Sequence, residues 1–163
     1  MVITDDYRRL NRQLHAAKPT YGASGHKWVQ WVDDLDDILD YGCGKGTLCK
    51  ALGRPIAEYD PAVPGKDTEP DPHDYVVCTD VLEHIEPDCL GDVLADIASK
   101  MRIGGFLVIA TRPAKKVLPD GRNAHLIVES WEWWRKRLEE HMRIVDYQID
   151  PIEDGEVAVW VAK

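Results

Sequence analysis

The stretch Ile38-Leu-Asp-Tyr-Gly-Cys-Gly-Lys-Gly46 decides the fold of this chain of 163 residues. Its first two residues close a short apolar run, and an apolar run that ends at a glycine predicts a buried strand. Three glycines follow at alternate positions, and residues 47–52 have the apolar spacing of a helix. A strand, a glycine turn and a helix in this order are typical of α/β sheets. In such sheets the glycines let a ligand approach the backbone, and some of them need positive φ angles.

The spacing of these glycines narrows the class of ligand. A dinucleotide fingerprint has the pattern G-x-G-x-x-G, whereas this turn reads G-x-G-x-G and places Thr47 in the third glycine slot. A phosphate-binding P-loop needs a lysine followed directly by serine or threonine, but Gly46 separates Lys45 from Thr47. The turn therefore favours neither a dinucleotide nor a nucleoside triphosphate.

Four segments in order resemble the motifs of class I S-adenosylmethionine-dependent methyltransferases: 38–48, 57–61, 74–84 and 101–109. The resemblance implies a Rossmann-like, doubly wound, mostly parallel sheet with a C-terminal antiparallel hairpin. It also implies S-adenosyl-L-methionine as cofactor and S-adenosyl-L-homocysteine as product. The whole chain, including its tail, looks most similar to small phage-encoded methyltransferases of unassigned substrate.

The remaining pattern predicts one domain over residues 1–163, with a helical cover at 1–35 and an active-site loop at 112–128. Helices are expected at 3–17, 25–33 (capped by Ser24), 46–53, 88–101 and from Ser130 to Glu140. Gly104-Gly105 is expected to end the fourth helix, and strands are expected at 37–41, 56–59, 74–79, 106–110, 143–149 and 156–162. Residues 61–73 are too few for a helix and a strand, so the third strand of related enzymes is expected to be lost or vestigial.

Composition excludes several classes of protein. The net charge of −9 argues against broad electrostatic binding to nucleic acid or anionic membranes. No apolar run approaches the ~20 residues of a membrane span, and the start of the chain lacks the apolar core of a signal peptide. A cytoplasmic location is therefore expected. The four cysteines form no C-x-x-C pair, so no metal site is expected.

Ligands of open α/β sheets bind beyond the carboxyl ends of the strands. Asp60, after the second strand, can accept hydrogen bonds from both ribose hydroxyls, although a surface or capping acid is the alternative. Asp40 can receive the methionine ammonium or can simply hold the strand end. Glu83 adds negative charge near the cationic sulfonium or ties its turn to a neighbouring backbone, and Asp67 is a candidate for the adenine site. Asp40 and Asp60 are two of eleven expected cofactor contacts, and the other nine are Tyr41, Gly42, Cys43, Gly44, Pro61, Cys78, Thr79, Asp80 and Val81.

The sequence defines the residues that contact the methyl acceptor less sharply than those that contact the cofactor. Methyl transfer is an in-line displacement that needs positioning and, for some acceptors, removal of one proton. His84 and His125 are candidate bases, and packing or loop roles are the alternatives. Residues 100–122 carry six basic residues against one acid, which suggests Arg122 as a contact to an anionic acceptor or, alternatively, a solvated face. Tryptophans 131, 133 and 134 can stack on a base or belong to the core.

These features together favour O- or N-methylation of a small polar or anionic acceptor. One alternative is methylation of a nucleic-acid base or nucleotide in a phage setting, although the chain lacks an N/D-P-P-Y motif. Another is a catalytically silent subunit that only binds the cofactor. A nicotinamide oxidoreductase is disfavoured by the glycine spacing.

Overall fold

A computed structural model describes residues 2–163. The strands are β1 Ile38–Tyr41, β2 Ala57–Tyr59, β3 His73–Thr79, β4 Met101–Ala110, β5 Arg143–Ile149 and β6 Glu156–Ala162. The α-helices are α1 Asp5–Ala17, α2 Val29–Val32, α3 Thr47–Leu52, α4 Leu90–Lys100 and α5 Trp131–Glu139. Short 3₁₀ helices lie at Gly25–Trp28, Leu82–His84 and Pro87–Cys89. Among the described residues, no helix has both the length and the apolar character needed to cross a membrane.

The six strands form one sheet in the order β2-β1-β3-β4-β6-β5. The first four are parallel to their neighbours, while β6 runs antiparallel between β4 and β5. This arrangement confirms the expected Rossmann-like fold and its terminal hairpin. Within the described residues no strand lies between β2 and β3, so the loss of the third strand is confirmed as well.

Both faces of the sheet are covered, which explains why its central strands are apolar without alternation. One core cluster joins α1, α4 and α5 to the sheet through residues such as Tyr7, Leu94 and Trp134. The other joins α2 and α3 to the opposite face through Val32, Leu48 and their neighbours. Neighbouring residues of one strand therefore belong to different clusters.

The N-terminal cover differs from the sequence prediction in two details. Helix α1 begins at Asp5 because the Thr4 side chain caps it by accepting a hydrogen bond from the Tyr7 amide. The second predicted helix starts instead as a 3₁₀ turn, and the Ser24 side chain makes no cap. The Ser24 carbonyl accepts the Lys27 amide, so the backbone supplies the bond that the hydroxyl was expected to make.

The prediction that Gly104-Gly105 ends the fourth helix is wrong. Helix α4 ends at Lys100, and β4 runs without interruption from Met101 to Ala110. A Cβ atom at Gly104 would lie 2.4 Å from the carbonyl oxygen of Val161, and one at Gly105 would lie 2.6 Å from that of Val76. The two glycines therefore allow close approach of neighbouring strands rather than a turn.

The C-terminal predictions are confirmed. The Ser130 side chain caps α5 through the Trp133 amide at 3.4 Å, and the hairpin strands have the expected bounds. Trp131 and Trp134 are buried in the first core cluster, and the Arg137 guanidinium lies over the Trp133 ring. The core interpretation therefore holds for Trp131 and Trp134, whereas Trp133 is only partly buried against this cluster.

Candidate active site

A cavity of about 700 Å³ lies at the carboxyl ends of the parallel strands. Helix α1 and residues 19–27 line one side of it, and residues 110–116 with 124–125 line the other. The volume falls within the range of about 300–1,000 Å³ that is usual for small-molecule sites. Ten of the eleven expected cofactor contacts line this cavity: Asp40, Tyr41, Gly42, Cys43, Gly44, Asp60, Pro61, Thr79, Asp80 and Val81.

The glycine turn after β1 has the backbone that its sequence predicts. Gly42, Gly44 and Gly46 have φ angles of +78°, +49° and +66°. A Cβ atom at Gly44 would lie 2.5 Å from the carbonyl oxygen of Gly22. The turn is therefore held against the N-terminal cover, and both backbone conformation and close approach require glycine at position 44.

The amide groups of the turn are already used within the protein. Gly42 and Cys43 both donate to the Tyr59 carbonyl, and Gly46 donates to the Cys43 carbonyl. Gly44 donates to the Asp60 carboxylate at 3.0 Å, and Lys45 donates to the Gly22 carbonyl at 2.8 Å. A phosphate-binding turn needs such amides directed at its anion. This geometry therefore agrees with the glycine spacing in disfavouring a nucleotide phosphate.

Lys45 also ties the turn to the end of helix α1. Its ammonium group donates to the carbonyls of His15 and Lys18, at 3.2 and 3.1 Å. These carbonyls lie at the C-terminal end of α1, where a cation interacts favourably with the helix dipole. The lysine thus has a structural role in this chain and does not point at a phosphate.

Asp60 is buried at the end of β2 and shapes the turn from the other side. One carboxylate oxygen accepts the Gly44 amide, and the other accepts the Ala62 amide at 2.8 Å. Each oxygen of an ionised carboxylate has a further lone pair. Asp60 can therefore fix the glycine turn and still accept hydrogen bonds from a ligand in the cavity.

Asp40 lies deep in the cavity wall and is only 4% exposed. Burial, followed by the negative charge of Glu58, raises the pKa of this carboxyl to about 7, although Lys66 acts in the opposite direction. Asp60 also raises the pKa. Because burial and nearby acids disfavour the ionised form of Asp40, a cation that enters the cavity, such as an ammonium group, stabilises this carboxylate strongly.

Asp40→Asn is expected to stabilise the unliganded protein at pH 8. The folded-state pKa of about 7 lies above the ordinary value of 3.8, so ionisation destabilises the folded state progressively between about pH 4 and pH 7. Removing the charge is worth about 2–4 kcal/mol at pH 8 and less than half of that at pH 5. Urea denaturation of both proteins at both pH values measures this, with the exposed Asp34→Asn as control. An equal gain at pH 5 and pH 8 would contradict it.

The turn after β3 brings a buried acid next to the cavity. Asp80 has a positive φ of 55°, and Glu83 has no exposed surface. One carboxylate oxygen of Glu83 accepts the Ala110 amide at 3.1 Å, which confirms that it ties the turn to a neighbouring backbone. Among the residues that the structure describes, the other oxygen has no hydrogen-bond partner. Burial, and then the charge of Asp80, raise the Glu83 pKa well above its ordinary value.

The two predicted histidines meet at the cavity. The His84 and His125 rings are perpendicular, with centroids 4.7 Å apart. The Nδ1 atoms lie 2.7 Å from the Ala124 carbonyl oxygen and 2.5 Å from the Arg112 carbonyl oxygen, respectively. A carbonyl only accepts, so each Nδ1 carries the proton and each neutral ring keeps its lone pair on Nε2. Burial lowers both pKa values, that of His84 to about 3.

Besides Glu83, three of the sequence candidates lie outside the cavity. Cys78 is fully buried in the core of β3, Arg122 pairs with Asp120 on the surface, and Asp67 pairs with Arg12. The cavity-lining Arg112 is neutralised by Glu153 and Glu156. The positive charge of the loop is thus largely balanced locally.

Several cavity residues escaped the sequence interpretation because they belong to the N-terminal cover. Tyr7, Asn11 and His15 line the cavity from α1, and the Tyr21 hydroxyl donates to the Asn11 side chain at 2.7 Å. The four-residue spacing of these three positions indicates a shared helix face. It gives no sign of which ligand that face meets.

Comparison with solved structures agrees with the fold. The 1,6-didemethyltoxoflavin-N1-methyltransferase of Burkholderia thailandensis, solved with 1,6-didemethyltoxoflavin and S-adenosylhomocysteine, is 17% identical. The match covers 100% of this chain and 91% of that one, with a TM-score of 0.70. The magnesium protoporphyrin IX methyltransferase of Synechocystis PCC 6803, with bound S-adenosylhomocysteine, is 16% identical over 97% of this chain and 85% of that one (TM-score 0.61). An S-adenosylmethionine-dependent methyltransferase from Archaeoglobus fulgidus is 18% identical over 89% and 94% (TM-score 0.57).

Sequence comparison gives a family but no near relative. A search of curated proteins finds no match to the chain. The model of a methyltransferase-domain family matches residues 7–148, which include the glycine turn, the buried acids and the histidine pair. The chain therefore belongs to this family of methyltransferase domains.

Proposed function

We propose that the protein transfers the methyl group of S-adenosylmethionine to a small polar acceptor, at oxygen or nitrogen. The observation that carries this proposal is the glycine turn after β1. Its amides bond within the protein, while Asp60 and Asp40 present carboxylates to the cavity. Such a site suits a cofactor that offers ribose hydroxyls and an ammonium group rather than phosphates. Structurally similar enzymes crystallised with S-adenosylhomocysteine support the same cofactor.

Methyl transfer requires the protein mainly to position the acceptor and the cofactor. The acceptor atom attacks the methyl carbon as the carbon–sulfur bond breaks. The acceptor atom must therefore lie about 3–3.5 Å from the methyl carbon and in line with the carbon–sulfur bond. Asp40, Asp60 and Asp80 line the cavity and favour the cationic sulfonium over the neutral product. A hydroxyl or a neutral amine releases one proton during or after the attack, whereas a protonated amine must lose a proton beforehand to free the lone pair that attacks.

The remaining cavity lining supports a small acceptor. Helix α1, the turn after β3 and the loop after β4 enclose the space beyond the cofactor residues with Tyr7, Asn11, His84 and His125. Similar enzymes act on small molecules, namely 1,6-didemethyltoxoflavin and magnesium protoporphyrin IX. Arg112 and Arg122 pair with acids, so the positive charge that could bind an anionic acceptor comes mainly from Lys115 and Lys116. We therefore propose a polar acceptor rather than an anionic one.

Calorimetric titration tests the cofactor directly. We expect S-adenosylmethionine and S-adenosylhomocysteine to bind with a stoichiometry of one and NAD to show no heat of binding. A screen of phenols, catechols, hydroxy acids, nitrogen heterocycles and nucleosides, read out as S-adenosylhomocysteine formation, then identifies the acceptor class. Affinity for NAD without affinity for S-adenosylhomocysteine would overturn the proposal.

A further inference from the structure

Glu83, His84 and His125 form a cluster that methyl transfer alone does not explain. One carboxylate oxygen of Glu83 and one ring nitrogen of each histidine all lie within 4.8 Å of one another. The three residues come from two separate segments, the turn after β3 and the loop after β4. Both histidines line the cavity, while Glu83 lies behind them without exposed surface.

The histidines are oriented as metal-bound histidines usually are. In metal sites the nitrogen that does not bind the metal donates to a carbonyl or carboxylate, which fixes the ring and its tautomer. Here the Nδ1 atoms of His84 and His125 donate to the carbonyls of Ala124 and Arg112. Each ring therefore keeps an unprotonated Nε2.

The buried side chain of Glu83 gives a second reason to expect a cation in this cluster. Its second carboxylate oxygen has no hydrogen-bond partner within residues 2–163, although the side chain is fully buried. A buried polar atom without a partner destabilises the folded state, so its presence needs an explanation. A cation between this oxygen and the two imidazoles would satisfy it and would also remove the repulsion between Glu83 and Asp80.

We propose that Glu83, His84 and His125 bind one divalent first-row transition-metal ion, with coordination positions open to the cavity. Two imidazoles and one carboxylate suit Zn²⁺, Fe²⁺, Co²⁺ or Mn²⁺ better than Mg²⁺, which prefers oxygen ligands. Ligand atoms about 2.1 Å from a tetrahedral ion lie about 3.4 Å apart, so the distances within the cluster must shorten by up to about 1.4 Å. Three protein ligands leave at least one position for an oxygen or nitrogen of the acceptor.

This assignment differs from the sequence expectation of no metal site, which depended on cysteine spacing. The relevant pattern is Asp80-x-x-Glu83-His84 together with a histidine 41 residues later. Sequence alone does not show that the two segments meet. The site also deepens the proposed function, because it selects acceptors with donor atoms that can coordinate a metal.

Titration of the tag-free, full-length protein with Co²⁺, without cofactor, tests the ion site. Visible absorption is expected to saturate at one Co²⁺ per chain. Glu83→Gln keeps an oxygen for the Ala110 amide, and His125→Asn keeps a donor for the Arg112 carbonyl. Each is expected to weaken Co²⁺ binding by about 100-fold or more while leaving the unfolding transition intact. His141→Asn, beyond helix α5, is the control and should bind Co²⁺ as the unmodified protein does.

A second measurement tests the open position. Acetohydroxamate, which binds metals through two oxygens, is expected to shift the Co²⁺ absorption bands of the loaded protein. Absence of saturable Co²⁺ binding, or equal binding by the Glu83→Gln and control variants, would overturn the ion site. Unchanged bands with acetohydroxamate would overturn its opening to the cavity. Because no cofactor is present, these results are independent of whether S-adenosylmethionine binds.

Discussion

His125→Asn is expected to lower the rate of methyl transfer by about 100-fold or more while S-adenosylmethionine binds with unchanged affinity. The reason is position: His125 lies in the loop after β4, beside His84, and keeps its Nε2 lone pair at the acceptor side. Asparagine can still donate to the Arg112 carbonyl, so the loop should remain folded. Single-turnover measurement with the first acceptor found in the screen gives the rate, and calorimetry gives the cofactor affinity.

The control for this substitution is His73→Asn. His73 lies at the amino end of β3, bonded to Asp37, and β3 meets the cavity only at its carboxyl end. Its replacement is expected to leave the rate unchanged. An unaltered rate in the His125 variant would show that this residue takes no part in the chemistry. A lower rate together with retained Co²⁺ binding would favour a role as base over a role as metal ligand.

Asp60→Ala is expected to weaken binding of S-adenosylmethionine by roughly 10- to 150-fold, equivalent to about 1.5–3 kcal/mol. Hydrogen bonds from the ribose to a charged acceptor would be lost. The structure adds a second effect, because the Gly44 and Ala62 amides lose their acceptor at the same time. We therefore also expect a lower free energy of unfolding without any ligand.

Asp67→Ala provides the matched control for Asp60, since Asp67 is an exposed acid in the same loop and pairs with Arg12. Calorimetry and urea denaturation of both variants separate the two effects. If Asp60→Ala lowered stability without changing the dissociation constant, Asp60 would only shape the turn, and the ribose would bind elsewhere.

The sequence predicted the sheet, its glycine turn and its hairpin because these features depend on local patterns. Positive φ at Gly42, Gly44 and Gly46 follows from the residue type, and the loss of the third strand follows from the length of 61–73. The interpretation of Gly104-Gly105 failed for the same reason. A glycine pair signals a turn locally, whereas these glycines are needed here because the carbonyls of Val161 and Val76 approach them from two neighbouring strands that are distant in the sequence.

Local sequence patterns could not predict the residues on the acceptor side of the cavity. Charge counting along residues 100–122 suggested a basic loop, yet Arg112 pairs with Glu153 and Glu156, which are distant in sequence. The meeting of Glu83 with His125 likewise depends on how the loop after β4 folds back over the turn after β3. Ion pairs and clusters between distant segments are determined by tertiary packing.

The contact between Gly22 and Gly44 has an evolutionary consequence. A Cβ atom at position 44 would meet the Gly22 backbone, and one at position 22 would lie 3.3 Å from the Gly44 Cα and 2.4 Å from the His15 ring. A side chain gained at either position therefore changes the constraint on the other. We expect these two glycines, although 22 residues apart in the chain, to be retained or replaced together in divergent relatives, so that the cover and the cofactor turn evolve as one unit.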